Sequence, residues 1–181
     1  MATVLVPLAH GCEELEAVTI IDLLRRAGIT VTVAGLEAGP VTASRGVVLL
    51  PEITLDEVLE RDFDMVVLPG GLGGAQRLEA DQRITVLLRR MAEQGRYVAA
   101  ICAAPKVLAS AGLLNDREAT AYPGILDDRS DVRLSSAAVV RDGTFITSRG
   151  PGTALDFALS LIEILGGRKQ RDTVEAALQR P

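Results

Sequence analysis

Tyr97-Val98-Ala99-Ala100-Ile101-Cys102-Ala103-Ala104-Pro105 is the stretch from which the fold is read. From Tyr97 to Ile101 every residue is apolar or aromatic, as a strand buried on both faces of a parallel sheet requires. Pro105 fits the first turn of a following helix, where its missing N–H is no loss. Cys102 therefore falls at the carboxyl end of a strand, just ahead of a helix start. The same strand-then-helix alternation runs outward in both directions and predicts an α/β chain with a mostly parallel central sheet.

Towards the N-terminus, Met65 to Leu68 is a strand ending at Pro69-Gly70-Gly71, followed by a helical region from Ala75 to Gln94 broken near Ala80-Asp81. Thr3 to Leu8 is the first strand. Glu13 to Ala27 is a helix with the stripe Ala17, Ile20, Ile21 and Leu24, stopped by Gly28. Ile29 to Ala34 is the second strand. Val41 to Leu50, punctuated by Ser44-Arg45-Gly46, is a pair of short strands, and Leu55 to Leu59 a helical turn. Towards the C-terminus, Ala137 to Val140 and Phe145 to Ser148 flank Asp142-Gly143, a two-residue hairpin signal. Thr153, with Asp156 three residues on, is placed to cap a helix that ends at Gly166-Gly167. A last helix covers Asp172 to Leu178. With no internal repeat, low-complexity segment or linker, residues 1–181 form one expected domain.

Composition narrows the function classes. The formal charge of −5 and the absence of a Lys/Arg cluster disfavour nucleic acid and anionic membrane surfaces as partners. No apolar run is long enough to cross a bilayer, and Met1 to Leu8 lacks the basic start and length of a signal peptide, so the cytoplasm is the expected compartment. Two cysteines ninety positions apart do not make a disulfide framework.

Ligands of open parallel sheets gather beyond the carboxyl ends of the strands. Cys102 lies at such an end, flanked by Ala100, Ala103 and Ala104, which are small enough for a crowded turn. The helix start beside it favours the thiolate, so a depressed pKa is expected; a buried structural cysteine is the alternative. Pro69-Gly70-Gly71-Leu72-Gly73-Gly74 lacks the Lys-Ser/Thr of a phosphate loop and does not fit G-x-G-x-x-G, so no nucleotide cofactor is expected. Its amides could face Cys102 and hold a developing oxyanion, or the glycines could serve turn geometry alone. Glu13, Glu14 and Glu16 stand at a helix start, where the dipole accounts for acids. Glu16 alone has Ile20 and Leu23 continuing its line towards the apolar side, which would desolvate the carboxyl and favour its protonated form. Cys12 could be a resolving thiol, with a packed cysteine the default. His10, the only histidine, is read as a solvated loop residue, and without a second histidine no metal site is expected. Arg26, Arg45 and Arg149 stand near turns, able to meet an anion or a partner chain or simply to be solvated.

Taken together, Gly11-Cys12-Glu13-Glu14-Leu15-Glu16, Arg26-Ala27-Gly28-Ile29, Val67-Leu68-Pro69-Gly70-Gly71, Ala99-Ala100-Ile101-Cys102-Ala103-Ala104-Pro105 and Thr147-Ser148-Arg149-Gly150-Pro151-Gly152-Thr153 resemble the ThiJ/PfpI superfamily. More narrowly they are similar to its branch containing the human parkinsonism-associated deglycase and the bacterial YajL proteins. The resemblance implies a flavodoxin-like three-layer sandwich with an added β-hairpin, and a homodimer. It implies Cys102 as nucleophile, Glu16 as its protonated partner, oxyanion amides from Gly71 and Ala103, and Gly70 shaping the turn. Arg26, Arg45, Ser148 and Arg149 match positions lining a pocket near the dimer interface. The implied activities are cofactor-independent glyoxalase, converting methylglyoxal to lactate, and deglycation of early glyoxal adducts on protein side chains; oxidative-stress sensing and chaperone action are also attributed to the branch. One departure stands out: Tyr122 replaces the histidine before the proline of Ala121-Tyr122-Pro123, which weakens a Cys-His-Glu relay of the related amidases and proteases.

Overall fold

Runs of apolar residues too short for helices become strands wherever both faces are covered, and β1 (Thr3–Leu8) shows this: Val4, Leu5, Val6 and Leu8 are all buried. The structure, a computed structural model, describes residues 1–180. After β1 come α1 (Glu14–Arg26), β2 (Thr30–Gly35), the short strands β3 (Val41–Thr42), β4 (Val48–Leu49) and β5 (Ile53–Thr54), then β6 (Met65–Leu68), α2 (Leu72–Ala80) and α3 (Gln82–Glu93). They are followed by β7 (Tyr97–Ile101), α4 (Pro105–Ser110), β8 (Glu118–Ala119), β9 (Arg133–Leu134), β10 (Val139–Asp142), β11 (Phe145–Ser148), α5 (Ala154–Gly166) and α6 (Arg168–Ala177).

Seven strands pair in the order β10-β11-β7-β6-β1-β2-β5, parallel throughout except for the antiparallel edge pair β10–β11. Helix α1 packs on α5 and α5 on α6, while α2 packs on α3 and α4. The result is the expected flavodoxin-like three-layer α/β sandwich. One apolar cluster runs from Val4 to Val174 and includes the β7 alanines, whose small side chains keep the sheet centre narrow. No helix among the described residues is long and apolar enough to cross a membrane.

Where the structure departs from the sequence reading, hydrogen bonds or close contacts give the reason. Helix α2 starts at Leu72, inside the glycine run, because Gly74 lies against Cys12: a Cβ on Gly74 would sit 2.7 Å from the Cys12 Cα. The turn of the β10–β11 hairpin is Gly143-Thr144, one residue later than expected, since Asp142 pairs with Phe145 and its carboxylate accepts from Glu118 N and Arg117 Nη1. Thr153 does not cap α5 with its side chain; its hydroxyl instead accepts from Gly150 N and donates to Gly150 O. Helix α6 begins at Arg168, four residues early, directly after Gly167 turns the chain with φ +84°.

Candidate active site

Cys102 is one of three described non-glycine residues with positive φ, at +63°. An L-residue in this left-handed region costs about 1–2 kcal/mol. The turn is held from both sides: Cys102 N donates to Ser148 O at 2.9 Å, and Cys102 O accepts from Tyr122 N at 2.9 Å. Ser148 is itself fixed, its Oγ donating to Ala138 O and lying 2.7 Å from Thr153 Oγ1. Cys102 is 8% exposed, and the amides of Gly71 and Ala103 favour its thiolate form.

Glu16, in the first turn of α1, is fully buried. Its Oε2 accepts from Gly70 N at 2.8 Å, while Oε1 is buried without a hydrogen bond. Gly70 is the spacer between the Cys102 and Glu16 side chains. A Cβ there would lie 2.6 Å from both Cys102 Cβ and Glu16 Oε2, and 2.8 Å from Ile101 O. Gly71, at φ +84°, is equally confined: a side chain would strike the backbone of Gly11, Cys12 and Glu13.

The electrostatics correct one expectation. Burial raises the Glu16 carboxyl to about 7, opposed by the Gly70 N–H and the Cys102 thiol. The Cys102 thiol is pushed up, not down, to about 12: burial, the charge of the Glu16 carboxylate and its hydrogen bond outweigh the Gly71 and Ala103 amides. The six-residue α4 is too short to offset a carboxylate in the same dry site. Burial raises both groups, and a charge on either one disfavours a charge on the other.

The remaining candidate residues divide. Tyr122 is bonded to the Cys102 backbone, and Ser148 supports the Cys102 turn from beneath. Arg149 N donates to Ala138 O, with its guanidinium against Ser136 O. Arg45 is exposed on the turn between β3 and β4, its amide donating to Glu14 Oε1 at 2.8 Å. Arg26 is not brought to the Cys102 site of its own chain; it pairs with Asp22 at the far end of α1, ten residues and so about 15 Å along the axis from Glu16. His10 is exposed, with Nδ1 accepting from Thr42 N. Cys12 is buried and free, pushed to about 11 by burial and the Glu14 charge, as a packed thiol would be.

Glu14 has a role that the helix-dipole reading missed. Against the upward push of burial, hydrogen bonds from its own amide, Ser44 Oγ, Arg45 N and Val47 N hold its carboxyl below the usual range. Ser44 Oγ also lies 2.8 Å from Glu13 Oε2, so the β3–β4 hairpin is tied to the first turn of the helix carrying Glu16. Three acids within four residues at one helix start exceed what a dipole needs, and that excess was the available signal.

A strand-end thiol in a strained turn, facing a buried carboxyl across a glycine, is the local pattern to compare with known proteins. The DJ-1/PfpI family model matches residues 2–164. Protein dj-1beta of Drosophila melanogaster is 45% identical over 177 residues, 96% of this chain and 95% of its own. Its crystal structure aligns with TM-score 0.96 and 43% identity, covering 99% of this chain and 98% of that one. A Toxoplasma gondii DJ-1, described as oxidized, aligns with TM-score 0.95 and 40% identity, covering 98% of each chain. A deglycase from Pyrococcus horikoshii is 34% identical over 159 residues, 87% of this chain and 95% of its own. With fold, sequence and family model agreeing over nearly the whole length, the chain belongs to the DJ-1/PfpI family.

Proposed function

We propose that the chain, acting as one domain over residues 1–181, is a cofactor-independent cysteine enzyme for reactive carbonyls. It would convert methylglyoxal to lactate, or release early glyoxal adducts from protein side chains. The observation that carries this reading is the Cys102 thiol and Glu16 carboxyl facing each other across Gly70 in a buried site. Cys102 and Glu16 are the proposed catalytic residues.

In the proposed cycle Sγ bonds to the aldehyde carbon while its proton passes to Glu16, which returns a proton to the carbonyl oxygen to give a hemithioacetal. Glu16 then takes the proton on that carbon, the hydroxyl proton passes to the ketone oxygen, and a proton added to the ketone carbon completes an internal redox exchange and leaves a thioester. Water releases lactate and restores the thiol. No external oxidant or reductant enters. The amides of Gly71 and Ala103, which favour the thiolate in the free site, would serve as donors to the oxygen on the adjoining carbon as it develops charge.

Lactate formation from methylglyoxal by metal-free protein tests this directly. Cys102→Ser should lose at least roughly a thousandfold in turnover. A serine variant that keeps its activity would remove Cys102 from the chemistry. A second reading is an oxidative-stress sensor in which peroxide converts Cys102 to the sulfinate, and the oxidized state described for the Toxoplasma relative favours keeping it. Amidase or protease chemistry is disfavoured by Tyr122 in the histidine position.

We also propose a homodimer. Leu15 and Val18 on the outer face of α1, and Val47, Val48 and Leu50 on the β3–β4 hairpin and just beyond, are large apolar side chains left 47–77% exposed. Val18, Leu49 and Leu50 line one groove, so helix and hairpin form a continuous apolar face of the kind that second copies cover. Light scattering at micromolar concentration should report a dimer and Val48→Glu should shift it to monomer; a wild-type monomer would sink the idea.

A further inference from the structure

The chain has only five aromatic rings, and four are tucked away: Phe63, Phe145 and Phe157 are buried and Tyr97 is half-buried. Tyr122 is 52% exposed. Its place is fixed rather than incidental, because its N–H is the donor that satisfies the Cys102 carbonyl. One edge of the ring rests on Gly150, where a Cβ would lie 3.3 Å from Tyr122 Cδ2 and 3.9 Å from Cε2. Leu72 is 57% exposed and follows Gly71, whose amide favours the Cys102 thiolate. Tyr122 is thus one backbone hydrogen bond from Cys102, and Leu72 one residue along the chain from Gly71. Methylglyoxal, with a single methyl group, would leave most of this apolar surface wet. A flat apolar group beside the reacting carbonyl would cover it.

We propose that Tyr122 and Leu72 are specificity-determining residues that favour α-oxoaldehydes carrying an aryl or similarly flat apolar group over methylglyoxal. This rests on the aldehyde chemistry proposed above, so its test has one arm that needs turnover and one that does not. In the first arm, kcat/KM is measured for phenylglyoxal and methylglyoxal. The wild type should prefer phenylglyoxal by about tenfold, the range that one small hydrophobic group commands. Tyr122→Ala should bring the ratio close to one, and Tyr122→Phe, which keeps the ring, should preserve it. In the second arm, Cys102 alkylation by N-phenyliodoacetamide and by iodoacetamide is compared by mass spectrometry, with the same ordering of ratios expected. Equal alkylation ratios in wild type and Tyr122→Ala would overturn the inference. Absence of wild-type turnover on either aldehyde would overturn the proposed function instead, and the alkylation ratios would still decide the role of Tyr122.

Discussion

Glu16→Gln should be nearly inactive, yet gain stability over the wild type as pH rises. The carboxyl moves from 4.5 to about 7 on folding because its site is dry. An acid with a raised folded pKa binds more protons folded than unfolded between those two values, so stability falls with pH across that window. The wild type therefore bears no penalty below about pH 4.5 and the whole of it, about 3 kcal/mol, above pH 7. Gln is neutral throughout and keeps an oxygen for Gly70 N. The stability of the variant relative to wild type should improve by about 3 kcal/mol between pH 4 and pH 8, read from urea unfolding. Turnover should fall by about 10²–10⁴, because Gln cannot take the thiol proton. The same change removes the Glu16 charge that, after burial, most raises the Cys102 thiol, so alkylation of Cys102 at pH 8 should accelerate. A pH-independent stability difference would show that Glu16 ionises as an ordinary surface acid does.

Gly70→Ala should be as damaging to turnover through geometry alone. The added methyl meets Cys102 Cβ and Glu16 Oε2 at 2.6 Å and the Ile101 carbonyl at 2.8 Å. The carbonyl belongs to the sheet centre and has little room to move, so Cys102 and Glu16 must separate. Overpacking of this kind costs about 1–3 kcal/mol of stability. A misplacement of roughly 1 Å between reacting groups costs about a hundredfold in rate. Gly152→Ala is the control, since nothing lies within 4 Å of a Cβ there. If Gly70→Ala turns over methylglyoxal as well as that control does, the close pairing of thiol and carboxyl is not what drives the reaction.

What the sequence made legible was governed by local rules. A strand buried on both faces shows as an unbroken apolar run, so β1, β6 and β7, and the position of Cys102 beyond β7, could be read directly. The burial of Glu16 was visible in the line through Ile20 and Leu23, both buried in α1. Its hydrogen bond from Gly70 spans 54 positions, and no periodicity reaches so far; the resemblance offered only its pairing with Cys102. The thiol pKa was misjudged because the helix start was weighed without the carboxylate placed beside it. The helical start of α2 in a glycine run, the parallel pair β8–β9 and the Glu14 tether all depend on a partner distant in sequence, which leaves no periodic mark.

The left-handed backbone at Cys102 has a consequence for how this protein is able to change. Glycine is the residue that such a conformation prefers, and glycine carries no thiol. The substitution that relaxes the turn best is thus one that erases the proposed nucleophile. A screen that scores variants for thermal resistance alone would be drawn towards Cys102→Gly and would enrich well-folded chains without chemistry. Selection on turnover pulls the other way and keeps the strained residue in place. At Cys102 a gain in robustness and a loss of purpose arrive together.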